Sequence, residues 1–173
     1  MNINTFFNEF TKEIDLLLEE GVFIGLEDVD RLENGTYTLL FDVAIYNIAK
    51  RDKMTVRPEN PTGRGGYSDM TLYSKNGNKK LIEIEHENRP LRKNNGKYAL
   101  YKSLDNLIRA KIKADIRILI TFTSSNLDKD KLNGMCTKYL AKNCPKPKRN
   151  GIYLFFADDE YECGKHKFTN VML

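Results

Sequence analysis

The sequence predicts one α/β domain, a mixed central β-sheet flanked by helices, in the order α-α-β-β-β-α-β-α-β. Three observations point there. The chain has 173 residues and a mass of 20.0 kDa, close to the ~150 residues of a usual domain, so residues 1–173 are read as a single unit. Its apolar residues recur first at helical spacing, then in alternation, then in both patterns by turns. The late strands are separated by helices, which implies parallel pairing, whereas a tight hairpin in the middle is antiparallel.

Phe6, Phe7, Phe10, Ile14, Leu17 and Leu18 fall at i, i+3, i+4 spacing and predict an amphipathic helix over Thr5–Glu20, ended by Gly21. A second helix over Tyr37–Lys50 carries Leu39, Leu40, Phe41, Val43, Ala44, Ile45 and Ile48 almost all round, which predicts that it is largely buried. The period then changes to two. Lys53–Pro58 reads as a strand, 61–66 as a loop, and Tyr67–Ser74 and Lys79–Glu87 as two strands joined by Asn76-Gly77-Asn78. Beyond a polar connector, Lys97–Arg109 is helical, with Leu100, Leu104, Leu107 and Ile108 on one face. Ile116–Phe122 is a buried strand and Ile152–Ala157 the last one read. Between them Asp128–Asn143 is a helix striped by Leu132, Met135, Cys136, Tyr139 and Leu140.

Composition excludes several classes. With 40% hydrophobic and 30% charged residues the chain is a folded protein. No apolar run approaches the ~20 residues of a membrane span. Met1-Asn2-Ile3-Asn4 has neither the basic nor the apolar region of a secretory leader, so the expected compartment is the cytoplasm. Three cysteines, an odd number, fit reducing conditions better than a disulfide framework. Charge is unevenly spread. Residues 1–35 hold nine acids against Lys12 and Arg31, while 89–113 hold eight basic residues against Asp105 alone. Residues 129–149 add seven basic groups against Asp130. Such a basic half is the footprint of a polyanion binder, although lysines also simply solvate exposed helix faces.

The hairpin is more specific. Met70 and Leu72 share one face of the first strand, as do Ile82 and Ile84 on the second. Matching these apolar faces pairs Met70 with Ile84 and Leu72 with Ile82, and sets Asp69 opposite Glu85 and Glu83 opposite Thr71. That register requires a three-residue loop, or a bulge that does the same work. Asp69, Glu83 and Glu85 then share one patch, where like charges repel. A hard cation such as Mg²⁺ or Mn²⁺ would resolve the repulsion; the competing reading is an acidic face fanned into water. The neighbouring loop Gly63-Arg64-Gly65-Gly66 and the basic stretch favour a metal site that receives a phosphate backbone.

An Asp, a hairpin and then Glu-x-Glu within this element order resemble the PD-(D/E)XK nuclease superfamily of restriction-endonuclease-like folds, over roughly residues 37 to 123. The resemblance implies metal-assisted hydrolysis of phosphodiester bonds. Asp69 and Glu83 would ligate the metal, Mg²⁺ or Mn²⁺, together with the backbone carbonyl of Ile84. Glu85 departs from the pattern, since most members have lysine there, and it would position the water, bind a second metal or mark an inactive copy. The catalytic set so implied is Asp69, Glu83 and Glu85. DNA is the expected substrate ahead of RNA, with Arg64, Arg89, Arg92, Lys93, Lys97 and Lys102 as nucleic-acid contacts, in restriction, defence or repair. Glu13 and Glu59 are lesser candidates for an outer carboxylate, and Lys102 for a lysine that assists proton transfer. A homodimer fits, since cutting both strands takes two sites.

Other residues are read as structural. His86 points with Ile82 and Ile84 and is expected to be a packed, hydrogen-bonded core histidine. Cys136, Cys144, Cys163 and His166 lack a CxxC knuckle, which speaks against zinc. Tyr98 and Tyr101 are core at helical spacing before they are base-stacking groups. Two rival functions stay open: a catalytically inactive nuclease-fold protein that binds nucleic acid or protein, and a small interaction protein using its acidic first helix. Metal affinity separates the first from the enzyme, and salt-dependent DNA binding separates the second from both.

Overall fold

In the computed structural model, residues 1–20, 35–61, 67–87, 89–109, 114–123, 128–144, 151–157 and 169–172 are described. Helix α1 spans Ile3–Glu19 and begins at Asn2, whose side chain accepts from the Thr5 amide at 2.9 Å. Helix α2 spans Gly35–Arg51. The predicted boundaries lie within two residues of both. Strands β1 (Thr55–Pro61), β2 (Tyr67–Tyr73) and β3 (Lys80–Glu87) follow. Next come a short ribbon, β4 (Lys93–Asn94) with β5 (Lys97–Tyr98), and helix α3, Ala99–Arg109. Strand β6 (Ile116–Phe122), helix α4 (Lys129–Asn143, capped by Asp128), β7 (Ile152–Ala157) and β8 (Thr169–Met172) complete the described elements.

Six strands form one mixed sheet in the order β1-β2-β3-β6-β7-β8. The pairs β1–β2, β2–β3 and β7–β8 are antiparallel, while β3–β6 and β6–β7 are parallel. This is the mixed α/β architecture expected. Alternation along each strand sorts its residues onto two faces. Met70, Leu72, Ile82, Ile84, Ile118, Ile120 and Phe155 pack under α1 and α2, against Phe6, Phe10, Ile14, Leu40, Phe41, Ile45 and Ile48. Leu119, Ile152, Leu154 and Phe156 turn the other way and pack under α3 and α4, against Leu100, Leu104, Leu107, Leu132, Cys136 and Leu140.

Three expectations are corrected. Helix α2 is buried along one stripe only: Leu39 and Tyr46 are 55% and 57% exposed, because a helix lying on a sheet gives just one face to it. The segment read as a polar connector contains the β4–β5 ribbon. Asn95 and Gly96 at its tip both have positive φ (51° and 77°), as the tight turns that match strand twist require. Lys97 therefore belongs to β5, and α3 starts at Ala99. Finally, β8 adds a strand beyond β7.

The β2–β3 register is the one derived from the apolar faces: Met70 pairs with Ile84, Thr71 with Glu83 and Leu72 with Ile82. The device is a bulge. Tyr73 pairs with Lys80 rather than Leu81, so β3 carries one extra residue there. The turn beyond closes through Ser74, whose amide donates to the Lys79 carbonyl at 2.8 Å.

Candidate functional site

The acidic face of β3 lies beneath helix α3 and not in water. Glu83 is 0% and Glu85 3% exposed. An ionised carboxylate in that position is costly unless it is paired, and each of the two is held by one oxygen. The Lys80 ammonium donates to Glu83 Oε1 at 2.8 Å, and the Asn106 amide of α3 donates to Glu85 Oε2 at 3.2 Å. The second oxygen of each, Glu83 Oε2 and Glu85 Oε1, is buried without a hydrogen-bond partner.

Burial pushes the Glu85 carboxyl up to about 10, with Asp69 adding to the rise and Asn106 opposing it. Glu83 is raised too, chiefly by burial, while Lys80, Ser68 and Arg117 favour its charged form. Asp69 is exposed, and its Oδ2 accepts the His86 backbone amide at 2.6 Å. Electrostatics links Glu85 to both Asp69 and Glu83. Ile84, whose carbonyl the resemblance names as a ligand, lies between them on β3 with its side chain in the core.

In kind these donors fit a hard divalent cation: they are carboxylate oxygens, and two are buried with nothing to satisfy them. They are not drawn together as a closed shell. Among the described residues no three His, Cys, Asp or Glu side chains form a group that could hold an ion as they stand. Lys80 holds Glu83, and the His86 amide holds Asp69.

The basic residues divide. Arg89, Arg92, Lys93 and Lys102 are exposed, and Lys93 lies over the Tyr98 ring at 5.2 Å. Lys102 is near enough to Glu85 and Glu87 to favour their charged forms. Lys97 pairs instead with Asp105, which also accepts from the Tyr139 hydroxyl at 2.8 Å and forms an ion pair with Arg109 at 3.0 Å. Tyr101 stacks on Tyr139 at 4.2 Å, joining α3 to α4, so these rings are packing groups as expected. Arg64, Cys163 and His166 lie outside the described residues.

Of the lesser candidates, Lys102 lies near Glu85 and Glu59 falls across β1–β2 from Asp69, whereas Glu13 has other partners. Glu13 is buried between α1 and α2, where Asn47 donates to it at 2.7 Å and Arg51 forms an ion pair with it. Glu59 is exposed and in a left-handed backbone conformation (φ 45°). His86 is packed as predicted, against Phe41 at 5.9 Å, but neither ring nitrogen has a hydrogen-bond partner. Asp42 Oδ1 stands 3.8 Å from its Nδ1, and burial, then Asp69, raises the Asp42 carboxyl to about 6.

Three residues escaped the sequence. Asp42 is the early-helix acid that senses Asp69, in place of Glu13. Asn106, one helical turn beyond Lys102 and so on the same face of α3, could have been found from that spacing. Lys80 could not. On a regular strand residues three apart face opposite sides; the bulge turns Lys80 onto the side of Glu83.

No protein-family model matches the chain, and no curated protein matches it. Among solved structures it is similar to Pyrococcus furiosus SfsA in complex with Ca²⁺, at 14% identity and a TM-score of 0.39. The match covers 76% of this chain and spans 62% of the length of that one. No helix among the described residues is long and apolar enough to cross a membrane.

Proposed function

We propose that the protein is a metal-dependent nuclease that hydrolyses phosphodiester bonds, on DNA ahead of RNA, with Mg²⁺ or Mn²⁺ as its cofactor. The observation that supports this is the pair of buried glutamates, Glu83 and Glu85, each anchored through one oxygen and bare at the other. Two such carboxylates cost stability, and a fold retains them for chemistry more readily than for packing. Glu83, Glu85 and Asp69, with the Ile84 carbonyl, would hold the cation. When bound, it would lower the pKa of a water and stabilise the charge that develops on phosphate. Asn106 fixes which Glu85 oxygen faces the site. Lys102, Arg92 and Arg89 would bind and align the phosphate backbone. Work on both strands would suit a pair of copies, in restriction, defence or repair.

Cleavage of plasmid and single-stranded DNA in Mg²⁺ and Mn²⁺ tests the proposal, beside Glu83→Ala. The expected result is metal-dependent cutting that disappears in the variant. Cutting that survives in Glu83→Ala moves the activity to another site or another protein.

One observation favours a second reading. Glu83 already has a cation in Lys80, and Glu85 replaces the lysine that the resemblance leads one to expect. A nuclease-fold protein that binds nucleic acid without cutting it would look the same. It would show salt-dependent DNA binding that is indifferent to Mn²⁺.

A further inference from the structure

We propose that Lys80 is the resident cation of this site: its ammonium holds Glu83 in the metal-free protein and must let go before a divalent ion can settle, so metal affinity is set by an internal competitor. The inference rests on the metal-site reading above and adds its regulation.

The pair is unusual in its placement. The Lys80 and Glu83 side chains are 4% and 0% exposed, with 2.8 Å between Nζ and Oε1. Lysine is among the residues least often buried. A buried ion pair recovers in attraction about what it loses in hydration, so stability alone does not account for it. A strand defect is needed to build it, since without the bulge at Leu81 the ammonium would face away from Glu83. Arg117, the other buried cation that favours ionised Glu83, is committed to the Leu107 carbonyl, to which it donates at 3.2 Å. Lys80 carries a single point charge on a flexible four-carbon stem and stands next to the turn residue Lys79, whose side chain is 64% exposed.

A divalent ion on Glu83 Oε2 would share one buried carboxylate with that ammonium. Two positive centres so close repel strongly where little water screens them. The same contact already occupies one oxygen of Glu83. Removing the ammonium leaves a buried carboxylate uncompensated, and a divalent ion is the counter-charge that answers it.

The test is a Mn²⁺ titration of the full chain, followed by the paramagnetic resonance of free Mn²⁺, on wild type, Lys80→Met and Lys80→Arg. Lys80→Met is expected to bind Mn²⁺ about tenfold more tightly or better. Lys80→Arg keeps the charge and so the wild-type affinity, which a merely structural role for the ammonium does not require. The gain disappears in Lys80→Met combined with Glu83→Gln. Should Lys80→Met fail to show a cooperative melt, Lys80→Gln takes its place. Equal or weaker binding by the neutral variant, a gain that persists without Glu83, or no binding by any of them overturns the inference. The cleavage assay stands apart: tighter Mn²⁺ binding without cutting leaves this inference intact and removes the nuclease, whereas cutting with unchanged affinity does the reverse.

Discussion

Glu85 shows how burial and like charge combine on one side chain. It is 3% exposed, and with Asp69 nearby its carboxyl is pushed up to about 10. From its ordinary 4.5 to that value, the folded protein holds a proton that the unfolded chain has released. Its contribution to stability is complete below about pH 4.5 and is lost as pH rises toward 10. Glu85→Gln, which mimics the neutral form, is expected to be more stable than wild type at pH 8 in EDTA and to flatten the fall in stability between pH 6 and 9. Urea melts across that range check it; parallel curves for the two proteins would sink the idea. Cys136 is a second buried acid, fully enclosed on the inner face of α4 and pushed up to about 12 by burial. A thiol so placed has almost no thiolate at neutral pH. Alkylation of the native protein should therefore spare Cys136, and mass mapping should find it modified only after urea.

Elements transmit these local effects. At Glu59 strand β1 adopts φ 45°, between the pairs Pro58↔Met70 and Asn60↔Ser68, which sets Glu59 across from Asp69. Left-handed backbone costs a side chain of this kind about 1 kcal/mol, a cost glycine escapes. Glycine also loses more backbone freedom on folding, by about 0.5–1 kcal/mol, so Glu59→Gly should leave stability nearly unchanged, and a melting temperature shifted by many degrees either way would contradict it. The strands and the β2–β3 register were legible because a one-residue slip would carry Met70 and Leu72 off the buried face they share with Ile82 and Ile84. Helix α3 was legible from Leu100, Leu104, Leu107 and Ile108. Lys80 was not, because alternation assigns it the wrong face and only the bulge reverses it. The β4–β5 ribbon had its signal in Asn95-Gly96, yet strands of two residues are too short to alternate. Burial of Glu83 and Glu85 was hidden for a different reason: acidic alternation reads as a wet face, and a covering helix announces itself only in the fold.

Across the whole molecule the charge imbalance becomes spatial. Arg89, Arg92, Lys93 and Lys102 are exposed on β4, its approach and α3, the helix that lies over the glutamates. If they meet phosphates, each contact removed should reduce the slope of log affinity against log salt by roughly 0.9 on duplex DNA. Arg92→Ala with Lys102→Ala should accordingly flatten it by roughly twice that, and an unchanged slope would place the phosphates elsewhere. The two ends of the sheet carry a different consequence. Among the described residues the outer strands are β1 and β8. β1 includes Pro58 and Pro61, which have no amide to offer, on either side of the left-handed Glu59, while β8 is four residues long. Neither border is a good template for a further strand. Copies of this chain are thus discouraged from zipping edge to edge through these two strands into a continuous ribbon.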